Sequence, residues 1–181
     1  MQAIDHLLQR WRIAAARPWI PPGARVLDIG CHQGEMFRLL SRHIGRSVGI
    51  DPLAQPTATP AFRVLAMEFS GLLPFPGTSF DVVTMLAVLE HIERKEALAE
   101  ECYRLLVPLG RVIITVPQPK VERILKLLVA ARLADGMSLE QHHGFDPAET
   151  EELWCSRGFT LEHHSFFQLG MNNLFVFRRQ R

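Results

Sequence analysis

The stretch Val26-Leu27-Asp28-Ile29-Gly30-Cys31-His32-Gln33-Gly34 decides the fold. It opens as a short apolar run holding one acid, which reads as a buried strand. Gly30 and Gly34 then bracket a turn, and Glu35-Met36-Phe37-Arg38-Leu39-Leu40 begins a helix that is expected to reach His43. A glycine turn brings the backbone close to a bound small molecule, because no Cβ obstructs the approach and positive φ is tolerated. The helix start adds free N–H groups and a positive dipole end. Val48-Gly49-Ile50-Asp51 is a second strand ending in an acid. Asp51 lies about twenty residues after the first turn, the spacing at which a carboxylate holds the ribose hydroxyls of a nucleotide-like cofactor. Together these pieces predict such a site at the carboxyl ends of two neighbouring parallel strands.

Outward from this core the chain alternates strands and helices. Ala3–Ala16 suits a helix, ended by Pro18, Pro21, Pro22 and Gly23. The first strand spans Arg25–Ile29 and the second Ser47–Asp51, and a Pro-, Ala- and Thr-rich loop over 52–60 replaces most of the next helix. Phe62–Ala66 and the β-branched run Phe80–Leu86 are further strands. Glu90–Leu106 is predicted as one helix stopped by Pro108, and Gly110–Val116 as the next strand. Val121–Leu133 is expected to be helical, followed by a His-bearing loop. Asp146-Pro147 is expected to start another helix, with the acid as N-cap, running to about Ser156. Phe159–Phe167 and Asn172–Arg178, joined around Gly170, pair as an antiparallel hairpin. Repeated β-α units imply a mostly parallel sheet with helices on both faces, and the closing hairpin inserts an antiparallel strand.

Bulk properties narrow the function classes. With 181 residues, 48% hydrophobic and 22% charged, the chain is expected to fold as one globular domain. A net charge of +1 gives no electrostatic case for nucleic acid. Cys31, Cys102 and Cys155 are far apart and show no zinc-ligand spacing, so no metal site is expected and a reducing, cytoplasmic setting is read. No apolar run of transmembrane length or signal peptide is seen.

These residues resemble the class I S-adenosylmethionine-dependent methyltransferases, especially the branch of ubiquinone-biosynthesis C-methyltransferases and many small-molecule methyltransferases. The pieces that carry the resemblance are VLDIGCHQG at 26–34, VGID at 48–51, LPFPGTSFDVV at 73–83, VLEHI at 88–92, LLVPLGRVIITVP at 105–117, the GF at 158–159 and NNLFVFRR at 172–179. The resemblance implies a Rossmann-like α/β fold: a seven-stranded, mostly parallel sheet in the order 3-2-1-4-5-7-6, with strand seven antiparallel. It implies S-adenosyl-L-methionine as cofactor. Asp28 and Gly30 would lie at the turn contacting the methionine portion, and Gly34 would begin the helix. Asp51 would bind both ribose hydroxyls. Glu68, or the backbone at Phe69, would hold the adenine amine. Leu86 and Ala87 would face the sulfonium and amino-acid end through main-chain carbonyls. The family has three alternating glycines in its first turn, whereas this chain has His32 in the middle. That side chain would point near the methionine carboxylate or into the acceptor pocket, as a weakening substitution or as a specialised contact.

For the reaction, His91 and His143 are the candidate general bases, each with a structural alternative as a surface or hydrogen-bonding imidazole. His142 adjoins His143 without a third metal ligand in view, and His163-His164 are expected to sit away from the chemistry. Phe75 and Phe80 are read as core. Within a single 1–181 domain, the N-terminal helix (1–20) and residues 117–145 are left to cover the acceptor, the latter as a lid or substrate-side insertion. The helix at 121–133 packs on the sheet, or instead serves as a lid, a dimer contact or a membrane-surface helix. The expected partner is a small or lipid-like acceptor, with the chain a monomer or homodimer. Two rivals stand beside the methyltransferase reading. One is a non-catalytic module that keeps the cofactor site, and the other a nicotinamide-dependent oxidoreductase. The turn is Gly30-x-x-x-Gly34, not GxGxxG, which disfavours the oxidoreductase.

Overall fold

A computed structural model describes residues 3–118 and 147–181. The expected helix at 121–133, His142, His143, Asp146 and nearly all of the 117–145 segment lie outside the described residues.

The central strands are mostly apolar, as strands buried on both faces require, with Asp28, Ser47 and Thr84 as buried polar exceptions. β1 (Val26–Ile29) and β2 (Ser47–Asp51) pair in parallel, and β4 (Phe62–Ala66) joins β2 on the far side. β5 (Phe80–Leu86) flanks β1 on its other edge, and β6 (Leu106–Pro117) flanks β5, both in parallel. The hairpin of β7 (Phe159–Phe167) and β8 (Asn172–Arg179) closes the sheet, with β8 antiparallel to β6. The antiparallel insertion read from the sequence is therefore present.

The strand count needs correction. Thr57–Ala58, inside the Pro-rich loop, forms a short β3 antiparallel to β4, so the sheet has eight strands in the order β3-β4-β2-β1-β5-β6-β8-β7. The other seven keep the expected order. A two-residue strand has no periodicity to betray it; its pairing depends on β4 being in place.

Helices cover both faces. α1 (Ala3–Ala16) and α2 (Glu35–Leu40) pack Ile13, Ala16, Met36, Phe37 and Leu40 against Val26, Val82, Ile113 and Val176. α3 (Lys95–Leu105) and α4 (Glu149–Cys155) pack Leu98, Cys102, Leu105 and Trp154 against Leu27, Val83, Ile114 and Phe177. Phe75 and Phe80 meet edge to face at 5.5 Å within this second core, as expected.

Three helices have boundaries that differ from the sequence reading. α2 stops at Leu40, short of His43. The predicted helix over Glu90–Leu106 is split: Leu89–His91 is a single 3-10 turn, and α3 begins only at Lys95. α3 then ends at Leu105, within one residue of the expected Leu106, because the chain turns extended there and enters β6. β6 bears an irregularity opposite Phe80–Val82, where Leu109 takes a φ of 65°. α4 begins at Glu149 with Ala148 at the N-cap, two residues beyond the expected first helical position, Pro147.

Gly49 shows how tightly the site's supports are packed. A Cβ there would stand 2.5 Å from Cys31 Sγ and 2.7 Å from Phe37 Cε2. The missing side chain on β2 is the space into which the β1 turn and α2 settle. Gly49→Ala is expected to lower stability by about 1–3 kcal/mol, seen as a lower urea midpoint with an unchanged m-value.

Candidate cofactor site

The carboxyl end of β1 is tied directly to that of β2. The Gly30 and Cys31 N–H groups both donate to the Ile50 carbonyl, at 2.8 and 3.2 Å. One residue on, the His32 N–H donates to Asp51 Oδ2 at 3.0 Å. The Leu53 N–H donates to Asp51 Oδ1 at 2.8 Å. The Asp51 carboxylate is thus fixed by one backbone donor on each oxygen, at a half-buried position, and each oxygen keeps further acceptor capacity. That arrangement suits a ligand presenting two adjacent hydroxyls.

The turn itself runs through left-handed backbone. Gly30 has φ 75° and Gly34 φ 80°, with the Gly34 N–H donating to Cys31 O at 2.8 Å. A Cβ on Gly30 would lie 2.2 Å from Val88 Cγ2, so the space beside it is filled by the loop after β5. His32 also has positive φ, 49°, a conformation costly for a residue with a Cβ. Its Nδ1 lies 3.2 Å from Glu35 Oε1, and Gln9 of α1 donates to Glu35 Oε2 at 3.4 Å. A carboxylate partner makes Nδ1 the donor, and the half-exposed ring keeps its other edge accessible. Burial pushes the Glu35 carboxyl up, but its own backbone N–H, His32 and Gln9 together bring it below the usual range.

Asp28 is 4% exposed and lies on the face of the sheet beneath α1. Its neighbour in register is Thr84, whose hydroxyl donates to Asp28 Oδ1 at 2.6 Å. Burial pushes the acid up to about 7, against the lowering effect of that hydrogen bond, and the charges of Asp51 and Glu35 add to the rise. Thr115 is fully buried opposite Leu86, and its hydroxyl has no hydrogen-bond partner among the described residues.

The remaining expected positions separate by depth. Leu86 and Ala87 are half-buried at the end of β5, where Ala87 has φ 61° and donates its N–H to Thr115 O at 3.0 Å. Glu68 is exposed just past β4, and Phe69 is half-buried against the α3-side core. His91 is exposed at the end of the 3-10 turn after β5, not on a helix start. His163 and His164 lie on the outermost strand, His163 tilted against Trp19 and His164 stacked on Phe175, away from the turn as expected. Among the described residues no helix is long and apolar enough to cross a membrane, and no His, Cys, Asp and Glu group could hold a metal ion.

The structure also assembles residues that the sequence reading passed over. Thr84 could have been suspected as the lone hydroxyl in an apolar strand, and Glu35 from its place three residues after His32. Glu90 draws notice in the sequence as the neighbour of His91, and Arg12 reads as a solvated cation of the first helix, but nothing local shows that Glu90 is buried or that its charge reaches Arg12. Glu90 is 5% exposed beneath α1. Burial pulls the Arg12 guanidinium below its ordinary value, with Glu90 and Asp5 opposing the fall.

A doubly covered sheet with this strand order, a glycine turn after β1 and an acid ending β2 defines the class I methyltransferase fold. The chain belongs to the methyltransferase-domain family, whose model matches residues 2–164. It is 28% identical over 149 residues to the ubiquinone biosynthesis O-methyltransferase of Nitrosococcus oceani, covering 75% of this chain and 63% of that protein. A protein of the same name from Xanthomonas axonopodis is 30% identical, over 78% of this chain and 65% of its own length. The chain thus spans about three fifths of the length of these curated relatives. Among solved structures, a Haloferax volcanii methyltransferase in complex with the Trm112 activator superposes with a TM-score of 0.74 at 18% identity, over 96% of this chain and 91% of its own. An S-adenosylmethionine-dependent methyltransferase from Mesorhizobium loti gives 0.71 at 19% identity, over 92% and 96%. Those two likenesses concern the fold alone.

Asp28 makes the stability of the ligand-free protein depend on pH. Its folded-state value of about 7 lies above the ordinary 3.8, so the fold favours the protonated acid. That contribution is complete below the ordinary value, shrinks as pH rises and is gone above the folded value. Relative to Asp28→Asn, the native chain should lose about 2 kcal/mol between about pH 5 and pH 7. Urea unfolding of both proteins across that range checks it, and a pH-independent difference would show the acid to be ionised throughout.

Proposed function

We propose that the protein is an S-adenosylmethionine-dependent methyltransferase acting on a small, lipid-like acceptor. The observation that carries this reading is the Asp51 carboxylate, held open at the end of β2 by His32 N–H and Leu53 N–H. The residues fit the cofactor's parts. Asp51 accepts from the ribose hydroxyls, and Glu68 or the Phe69 backbone meets the adenine amine. Asp28, buried and held near neutrality, becomes fully ionised when an ammonium group is placed beside it. Gly30 and Gly34 give the backbone approach, and the half-exposed His32 ring stands at the methionine end. The carbonyls of Leu86 and Ala87 close the sulfonium side.

Bound there, S-adenosylmethionine supplies a methyl group already activated by positive sulfur. The protein's task is then alignment and exclusion of water rather than covalent chemistry. An acceptor that carries a proton gives it to a general base, for which His91, just past the end of β5, and His143 are the candidates. The relatives' names point to aromatic, quinone-related acceptors, and an apolar acceptor of that kind agrees with the lipid-like class.

Calorimetric titration with S-adenosylmethionine and with its demethylated product tests the reading. Micromolar binding to the native chain is expected, weakened about a hundredfold in Asp51→Ala by the loss of two hydrogen bonds to a charged group. NADH should give no heat. Saturable binding without methyl transfer to any quinone-type phenol would favour the non-catalytic module, and NADH binding in place of the sulfur cofactors would favour the oxidoreductase.

A further inference from the structure

α1 carries a face that neither the core nor the cofactor site uses. Its inner side is settled: Ile13 and Ala16 are buried, Gln9 bonds Glu35, and the Leu8 carbonyl accepts from Gln168 at the β7–β8 turn, 2.9 Å away. These ties fix which side looks outward. The outward residues are His6, Leu7, Arg10, Trp11 and Ala14 of the helix and Arg17 at the start of the 3-10 turn that follows it. Leu7 is 61% and Trp11 42% exposed, large apolar side chains left in water. With Ala14 they follow one another at helical spacing and form a single stripe. His6, Arg10 and Arg17 line one flank of that stripe at the same spacing. The single acid of the helix, Asp5, is half-buried and acts on Arg12, so the outward face bears no carboxylate. Leu169, 89% exposed, directly follows Gln168 and extends the apolar surface beside the helix.

We propose that this face of α1, with Leu169 beside it, docks on an anionic membrane surface. A Leu/Trp stripe flanked by arginines is the pattern of a helix lying in the headgroup region, with the rings at the interface and guanidinium groups reaching the phosphates. Charge selects the occupant. A face with cations and no acid is complementary to anionic lipid, whereas a second copy of the same face would set arginines against arginines. The contact is peripheral and needs no spanning segment. Through Gln9 and Glu35 the docked helix lies next to the His32 turn, which would set the cofactor site beside the bilayer. The docking rests on α1 and not on the activity proposed above.

Flotation of the full chain with phosphatidylcholine vesicles, with and without phosphatidylglycerol, tests this. Expected are co-flotation with the anionic vesicles alone, reversal by high salt, and a blue shift of Trp11 emission that Trp11→Phe removes. Leu7→Ser/Trp11→Ser and Arg10→Glu/Arg17→Glu should each reduce partitioning about tenfold or more. All four positions are exposed, so binding of S-adenosylmethionine and the circular dichroism spectrum should not change. Absence of flotation with anionic vesicles overturns the proposal, as does equal flotation of the Arg10→Glu/Arg17→Glu protein. A concentration-dependent dimer abolished by Leu7→Ser/Trp11→Ser would assign the face to a second copy and overturn it too. Cofactor titration is read separately, so failure of the docking leaves the methyltransferase reading intact, and the reverse.

Discussion

The end-to-end tie between β1 and β2 is the constraint on which the site depends. The Ile50 carbonyl takes two N–H donors from the turn, and the Asp51 side chain takes a third from His32. Without those bonds the turn's backbone donors would face an apolar core, at a cost of about 1–3 kcal/mol each. With them, the turn is locked in left-handed backbone and the Asp51 carboxylate is fixed in orientation. The same bonds settle where α2 begins, since it starts directly after Gly34. Gly49 then lets Cys31 and Phe37 press against β2.

The polar groups on the α1 side of the sheet stand in contrast to that rigid frame. Asp28 and Thr84 satisfy each other across β1 and β5, yet the acid remains in an environment that resists its charge. Thr115 continues the line of polar groups toward the end of β6, and Arg12 of α1 feels the charge of buried Glu90. Burying such groups costs free energy that an apolar packing of these positions would not incur. α1 is therefore both a wall of the core and a cover beside the site. The Gln9–Glu35–His32 chain of hydrogen bonds links the helix to the turn.

His32 illustrates the limit of pattern reading. The sequence marks it as a side chain where a glycine is expected, and that alone suggests either damage or a special contact. In the fold the position has φ 49°, so the strain is real, but the same residue gives Asp51 its backbone donor and ties its ring to Glu35. A local departure that costs backbone energy is here built into two further interactions. Neither partner adjoins it in sequence, and the Asp51 contact crosses nineteen positions.

By itself the sequence determined the alternation of strands and helices, the closing hairpin, the glycine turn and the acid ending β2. Each is written in local signals: apolar runs, turn glycines, helical spacing and the distance between two motifs. Tertiary structure decided the rest. The eighth strand exists only because β4 offers it an edge, and Thr57–Ala58 is too short to announce itself. The break of the Glu90–Leu106 helix into a turn and α3 places Leu89 and Glu90 in the interior, a packing demand that overrides helix propensity. The hydrogen bond of Thr84 to Asp28 and the electrostatic influence of Glu90 on Arg12 join residues more than fifty positions apart. Such partners are set by register and by how helices lie on the sheet, which no local pattern records.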